Sequence, residues 1–416
     1  MNLRISSIVL LFIFCCFFVL VQCINRGNKN NETEPLSSQY MKYAGTASCI
    51  SCHKNIYDSF LTTGHYLTSQ NADSGIIKGS FETGRNVYRY NPNTFVSMEK
   101  KDSGFYEIEH KYGATNTVGR FDVIIGSGIR GQTFLTWKNN NLFQLPVSYL
   151  SSIHEWVNSP GADNSILLNR SIKSRCLECH STYANKIATG ANGQEAFARN
   201  QMLYGVTCEK CHGPGAKHIE HQTEHPQETA AKFIVNPGTF TRQQSLSLCR
   251  LCHGGRMNPF KPAFSFSSGN KIQDYFIINN MVNNARIDVH GNQYGLLSKS
   301  ECFKNSATLT CVSCHNTHNN ERGNVSLFSQ RCMTCHNQEH NTFCKINPKL
   351  IGPKSTAFLS ANCIDCHMPD QASKVITMQT ADSTEMKAAL LRNHYITIYP
   401  DATKEYLANN LHVIKK

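Results

Sequence analysis

Polar and apolar positions change rhythm several times along this chain. Residues 1–22 begin with a short basic stretch at Arg4 and continue through an apolar run from Ile8 to Val21, barely long enough to span a membrane and placed as an export signal is placed. The polar residues 23–40 then read as a flexible tether. From Val96 to Met98 and from Tyr106 to Ile108, apolar residues alternate with Ser97, Glu99, Glu107 and Glu109 around the turn at Lys100–Gly104, which predicts a hairpin. Thr133–Lys138 and Leu142–Val147 flank three asparagines and predict a second, with Gly126, Gly128 and Gly131 in the loop before it. Residues 76–150 are therefore read as a small β-rich insertion.

Beyond it the pattern loosens. Residues 170–370 show little sustained helical periodicity and many Gly, Pro and Asn positions, which predicts short helices and loops. Helical spacing returns at Thr384–Asn393 and at Ala402–Leu411. The expected fold class is mainly α with extensive loops, wrapped around something other than side chains, and the β-rich insertion is its exception.

Composition supports that expectation. Only 40% of the 416 residues are hydrophobic and 17% are charged, with Asn, Ser and Thr plentiful, so an apolar core built from side chains alone would be thin. The cysteines supply the missing material. Of nineteen, Cys15 and Cys16 fall in the signal and fourteen form seven Cys-x-x-Cys pairs. The pairs are Cys49/Cys52, Cys176/Cys179, Cys208/Cys211, Cys249/Cys252, Cys311/Cys314, Cys332/Cys335 and Cys363/Cys366. A histidine follows every pair directly: His53, His180, His212, His253, His315, His336 and His367. With 18 histidines in the chain, seven such neighbours arise by chance with a probability on the order of 10⁻¹⁰.

That fifth position decides the chemistry. Zinc ribbons, redox dithiols and disulfide frameworks have no use for an adjoining histidine in seven copies. Covalent haem attachment uses all five positions. Thiols at i and i+3 of a helical turn face one way and reach the two vinyl groups on one porphyrin edge, and the imidazole at i+4 lies over the ring and ligates iron. Seven motifs predict seven c-type haems. Residues 41–75 become a first haem-binding segment, residues 151–400 a six-haem domain, and residues 401–416 a C-terminal helix or tail.

Haem also changes the meaning of the charge. The formal net charge is +12, which by itself suggests an anionic partner. Seven haems bring roughly fourteen propionate charges against about one positive charge per ferric centre, so the loaded protein sits within roughly five units of neutral. The basic excess is internal compensation, and export excludes nucleic acid as a partner.

Eleven histidines lie outside the motifs. His318 and His340 follow His315 and His336 too closely to reach round their own ring, so each is expected to ligate a neighbouring haem. His218, six residues beyond His212, suits the same task. His65, His290 and His394 complete the expected distal set, with His154, His221 and His225 as further candidates for a seventh. His110 lies in an expected strand and His412 near the terminus, and both read as structural. Two imidazoles close an iron to substrate and suit it to electron transfer, whereas an iron lacking the second would be open to chemistry. Cys302 and Cys344 are left over, and in an exported chain a bridge between them is an open alternative to two free thiols.

These segments resemble a known family. Tyr43–His65 resembles the opening of the cytochrome c-554 type domains, where CxxCH is followed by a Thr-Gly-His segment. Gly205–His218, Cys311–His318 and Cys363–Pro369 resemble signatures of the wider bacterial multihaem c-type cytochromes, which include ammonia-forming nitrite reductase and hydroxylamine oxidoreductase. The resemblance covers about residues 43–75 and 170–396. It implies stacked and edge-packed haem pairs, bis-histidine ligation at His65, His218, His318 and His394, and a redox role outside the cytoplasm. The chain departs from both enzymes: no motif ends in lysine, there are seven motifs where hydroxylamine oxidoreductase has eight, and no tyrosine is marked for the cross-link that enzyme carries.

The reading is thus an exported heptahaem cytochrome carrying electrons between respiratory-chain partner proteins at the periplasmic or outer face. Leu20–Cys23 resembles a lipobox, so the expected anchor is a lipid on Cys23, although Gln22 stands where a small residue is usual. The alternatives are a reductase of nitrogen or sulfur oxyanions with one open haem, and a redox subunit of a membrane-associated complex. The departures favour carrier over catalyst.

Overall fold

The computed structural model describes residues 36–73, 75–162, 165–278, 287–337, 344, 355–381 and 385–415. The export signal, Cys23, most of the tether and His340 lie outside the described residues. None of the described helices is long and apolar enough to cross a membrane.

The N-terminal part is dominated by antiparallel strands. After helix α1 (Ile50–Phe60) come β1 (Ser69–Asn71), β2 (Val87–Asn91), β3 (Thr94–Lys101), β4 (Gly104–Lys111), β5 (Ala114–Arg120), β6 (Val123–Ile125), β7 (Gly131–Lys138), β8 (Asn141–Leu150), β9 (Glu155–Asn158) and β10 (Arg170–Ser171). Helix α2 (Ser174–His180) leads into β11 (Ser181–Thr189) and β12 (Glu195–Tyr204). Strands β2–β5 form a four-stranded meander. The others form an eight-stranded sheet in the order β1-β6-β7-β8-β12-β11, with β9 and β10 also paired to β8. Both expected hairpins are present: Lys101 pairs with Gly104 across a two-residue turn, and Lys138 pairs with Asn141 across a turn where Asn139 has φ 54°.

Alternation explains how the two sheets meet. Tyr88 and Tyr90, Val96 and Met98, and Leu145 and Val147 point to one shared interior with Phe121, Phe134 and Trp156. On the opposite face of the larger sheet, Leu135, Leu142, Phe197 and Met202 enclose Leu177 of α2. The sheet therefore holds the second cysteine motif in place. At about 2–5 kcal/mol, truncating a fully buried leucine such as Leu177 to alanine would loosen that seat.

The remainder is built from short pieces. Helices α3 (Cys208–His212), α4 (Ala216–Glu224), α5 (Arg242–His253), α6 (Gln293–Leu297), α7 (Glu301–Asn305), α8 (Val325–Met333), α9 (Ser355–Ala361) and α10 (Cys363–His367) are joined by loops. Two-residue strands β13 (Asn258–Pro259) and β14 (Phe276–Ile277) pair with each other. A hairpin of β15 (Asp370–Gln379) and β16 (Met386–Arg392) precedes the terminal helix α11 (Pro400–Lys415). Among the described residues between 287 and 370, buried apolar side chains are sparse: Val289, Leu296, Phe303, Leu359, Ile364 and Cys366. The side-chain core is thin where the motifs are dense.

The expected fold class, mainly α with extensive loops, is not what the chain adopts. Helix and strand occupy nearly equal shares, and large antiparallel sheets carry the N-terminal part. Two segments account for much of the difference. Strands β11 and β12 pair through three register shifts, so buried residues fall in adjacent pairs such as Phe197–Ala198 and Gln201–Met202 and the period of two is lost. Within Thr384–Asn393, read as helical from its spacing, Met386–Arg392 is instead β16. Its pairing with β15 and the grip of Asp365 on Arg392 at 2.8 Å override local propensity.

Candidate haem attachment and ligand sites

The motifs sit at helical turns. Cys176–His180 ends α2, Cys208–His212 is the whole of α3, Cys249–His253 ends α5, and Cys363–His367 is α10. Cys49 caps α1, which kinks at His53 (φ −118°, ψ 34°). At the fifth and sixth motifs, amide bonds from His315 to the Cys311 carbonyl (3.0 Å) and from His336 to the Cys332 carbonyl (2.9 Å) close one α-turn. Each motif histidine thus stands one turn above its first cysteine. None of the fourteen motif cysteines is in a disulfide.

The fourteen are not equally enclosed. Cys52, Cys176 and Cys335 are exposed, whereas Cys366 is buried and the other motif thiols are half-buried. Cys52 has only Ser51 Oγ near its sulfur, at 3.8 Å, and Cys335 accepts from Thr334 Oγ1 at 3.9 Å while lying within electrostatic reach of Cys302 and Cys314. In the first and sixth motifs the first thiol lies beside another motif, Cys49 by Cys208 and Cys332 by Cys363, while the second is at the surface.

Three motif imidazoles face histidines from elsewhere in the chain. Ring centres lie 6.2 Å apart for His253 and His65, 6.0 Å for His212 and His318, and 6.2 Å for His315 and His394. An iron between two imidazoles needs two metal–nitrogen bonds of about 2 Å, and with roughly 1.1 Å from each nitrogen to its ring centre the sum is about 6.2 Å. The spacing is that of a metal-bridged pair.

Tautomers agree with this. A carbonyl only accepts hydrogen bonds, so a ring nitrogen bonded to one carries the proton. Nδ1 of His212 donates to the Val235 carbonyl (2.9 Å), Nδ1 of His394 to that of Arg392 (3.1 Å), and Nδ1 of His367 to that of Thr397 (2.9 Å). His218 is held the same way by Lys232 (2.8 Å), and His253 meets Gln293 Oε1 (3.2 Å). Where a carbonyl holds Nδ1–H, Nε2 keeps its lone pair, the arrangement of metal-ligating histidines. Enclosure by the surrounding chain, followed by the neighbouring histidines, pushes His65, His180 and His394 down to about 4, so these rings are neutral at physiological pH. His253 and His315 are also held down by enclosure.

The residues fit a porphyrin better than a bare ion. Among the described residues no group of three or more His, Cys, Asp or Glu could hold a metal. A porphyrin provides four nitrogens itself and asks the protein for two axial donors and two thiols, which is what these sites offer.

The other candidates fall as follows. His290 lies within electrostatic reach of His180, its loop held by Asp288, which accepts from Ser373 Oγ (2.8 Å) and the Lys374 amide (2.6 Å). His218 is on α4, and His53, His180, His336 and His367 stand outside the three pairs. His221 uses Nε2 to meet Glu228 at 2.7 Å and stacks near His225, while His154 meets the Tyr149 hydroxyl at 3.3 Å. His110 stacks on Phe95 in the small sheet and meets Ser97 Oγ at 2.8 Å. Cys302 and Cys344 are not joined, so the bridge considered between them is not formed, and Cys344 lies within reach of His367.

Contacts between motifs were not readable from the sequence. Glu209, inside the third motif, accepts from the amides of Ala44 (2.8 Å) and Gly45 (2.9 Å) just before the first, and from that of Gly215 (2.7 Å). The thiols of Cys49 and Cys208, of Cys179 and Cys252, of Cys249 and Cys311, and of Cys332 and Cys363 lie near enough to shift one another's titration. Lys210 of the third motif sits in the field of Cys179, Cys211 and Cys252. Arg331 donates to the Cys314 carbonyl (2.7 Å), joining the fifth motif to the sixth, and Ser329 Oγ accepts from the Cys363 amide (3.0 Å), joining the sixth to the seventh. The seven motifs form one contiguous series. Close packing also shapes the backbone: at Gly205 (φ +71°) a Cβ would collide with the Tyr66 carbonyl, beside His65.

Comparison with known proteins agrees with the resemblance. The sequence model of the family described as cytochrome c554 and c-prime matches residues 136–213, which hold the second and third motifs, and that family implies covalently bound c-type haem. In fold the chain is similar to the crystal structure of the outer cell wall cytochrome OcwA, with a TM-score of 0.53 at 15% identity over 88% of this chain and 81% of that one. No curated protein matches the sequence.

Proposed function

We propose that this chain is an exported c-type cytochrome with seven haems, carrying electrons between respiratory partner proteins outside the cytoplasm. The observation that carries the reading is the set of three imidazole pairs, each joining a motif histidine to a distant one at the separation an iron requires. Bound haem supplies one-electron chemistry at iron. The chain supplies the rest. The cysteines fix each ring by an edge, the paired imidazoles close both faces against substrate, and carbonyl acceptors such as those of Val235 and Arg392 hold the rings in the ligating tautomer.

Contiguity of the motifs supports transfer through the molecule. Thiols of the first and third, second and fourth, fourth and fifth, and sixth and seventh motifs lie near each other, Lys210 links the third to the fourth and Arg331 the fifth to the sixth, which supports a path through all seven. The cell wall cytochrome of similar fold and the export signal support a position outside the cytoplasm, and a lipid on Cys23 would hold the protein at a membrane. No nucleic acid is involved in this reading.

The test is maturation of the full chain in a host that attaches c-type haem. Intact mass should show seven macrocycles, and the ferric paramagnetic resonance spectrum should be dominated by low-spin signals. A colourless mature protein would overturn the proposal. A spectrum dominated by high-spin iron that binds nitrite or hydroxylamine would replace the carrier with a reductase.

A further inference from the structure

Two arginines of α5 each rest on an aromatic ring. The guanidinium carbon of Arg242 lies 4.3 Å from the centre of Phe303 and that of Arg250 lies 4.4 Å from the centre of Tyr294, and the two rings meet edge to face at 6.2 Å. Stacking occupies the flat face of a guanidinium and leaves its N–H edge for acceptors. Arg242 commits that edge within the protein: Nε donates to the Leu309 carbonyl and Nη2 to that of Phe303, both at 3.0 Å. Arg250 does not, and its buried Nε meets no acceptor among the described residues.

Arg250 lines a cavity of about 340 Å³ between α5, the 3₁₀ turn Ile272–Asp274 and α6. Its polar lining is Arg242, Gln243, Ser247, Arg250, Gln273 and Tyr294, and no carboxylate borders it. Ser247 is buried, and its Oγ accepts from the Ile272 amide at 3.2 Å, which leaves the hydroxyl proton to donate. No motif cysteine or histidine lines the cavity, so it is not a haem slot. Arg250 stands between Cys249 and Cys252, whose thiols lie near Cys311 and Cys179. On the haem reading, the vinyl edges of the second, fourth and fifth rings therefore gather at α5, and their propionates leave from the opposite edges.

We propose that the cavity at Arg250 binds a small oxyanion from solution, with the Arg250 N–H edge and the Ser247 hydroxyl as donors and Arg242 adding positive charge at the same cavity. The site goes beyond the proposed function, and its redox consequence rests on that reading. An anion held beside the fourth motif stabilises ferric over ferrous iron at His253, because the ferric centre carries one more positive charge. By linkage, the oxidised protein binds the anion more tightly than the reduced one.

The experiment titrates the full-length haem-loaded protein with inorganic phosphate by calorimetry, with ionic strength held constant by potassium chloride. Wild type should bind phosphate saturably, and more tightly when oxidised. Arg250→Gln should weaken binding by at least about tenfold, the loss of a charge-assisted contact. Ser247→Ala, which keeps the arginine, should weaken it by about fivefold and gives the comparison a second variant should Arg250→Gln fail to mature. Lys101→Gln makes the same charge change in the small sheet and should leave binding unchanged. Haem count by mass and the low-spin signal should be the same in every protein compared. A wild type with no saturable phosphate binding, an equal loss in Arg250→Gln and Lys101→Gln, or a Ser247→Ala protein that binds as wild type does overturns the proposal. So does an Arg250→Gln protein whose haem potentials shift equally with and without phosphate, which would make a haem propionate the occupant. Missing macrocycles in the wild-type mass would overturn the haem reading alone, since phosphate binding lost in Arg250→Gln would still establish the anion site.

Discussion

Arg331 grips Glu321 with both terminal nitrogens, Nη2 to Oε1 at 2.6 Å and Nη1 to Oε2 at 2.7 Å. The same Nη1 reaches the Cys314 carbonyl, so the pair fastens the fifth motif to the residue just before the sixth. The hydrogen bonds from Arg331 hold the Glu321 carboxyl at about 2, well below its ordinary 4.5. A depressed carboxylate contributes stability that is full above its unfolded value and is lost as pH falls through the folded one. Glu321→Gln should therefore lower the denaturant midpoint at pH 6, and the gap from wild type should close between about pH 4.5 and pH 2. A gap that stays constant over that range would show that the ion pair is not its source.

Axial roles separate by spin state. His65→Ala and His318→Ala should each turn one low-spin haem equivalent high-spin, and the double variant should turn two, because His253 and His212 are different partners. His110→Ala, in the small sheet, should leave the spectrum unchanged. If His65→Ala were spectroscopically silent, its place opposite His253 would have no coordination role.

Glu209 is a buried carboxylate satisfied by three backbone amides from two segments. Glu209→Ala should cost about 2–4 kcal/mol, since it leaves those donors without an acceptor. The first motif should become the most protease-sensitive part of the haem-loaded protein, and limited proteolysis followed by mass analysis would read this directly. Uniform sensitivity along the chain would contradict the clamp.

Glu107 is fully buried in the small sheet, where one oxygen accepts from the Val147 amide at 3.2 Å and the other has no partner. Burial raises its carboxyl well above the ordinary value, so the folded chain keeps a proton that the unfolded chain sheds. The sign is opposite to that of Glu321: stability falls as pH rises above about 4.5. Glu107→Gln should remove that decline, and thermal melts of the two proteins should diverge from about pH 5 upward in favour of the variant. Parallel curves would mean that the carboxyl ionises in both states alike.

What the sequence disclosed follows from how local each feature is. CxxCH is visible because two thioethers and a proximal bond force five consecutive positions. The spacing is silent on which thiols are enclosed: Cys52, Cys176 and Cys335 are exposed although their motifs read like the others. The turn at Lys100–Gly104 is visible because its hairpin is closed by neighbours. Strand β16 was obscured because Ala388, Leu390 and Leu391 suit a helix, and only the distant β15 makes a strand of them. The eight-stranded sheet was hidden by the register shifts between β11 and β12, which erase alternation. Which histidine meets which motif is a long-range property: His65 follows the first motif and faces the fourth, and His318 follows the fifth and faces the third. No spacing rule contains that information.

The three imidazole pairs overlap along the chain. One spans residues 65–253, the next begins at 212 and runs to 318, and the last begins at 315 and runs to 394, so each opens before its predecessor closes. A cut anywhere between 65 and 394 parts at least one pair. Neither half of such a cut is a self-sufficient unit, and minimal fragments for dissecting this protein must carry that whole stretch.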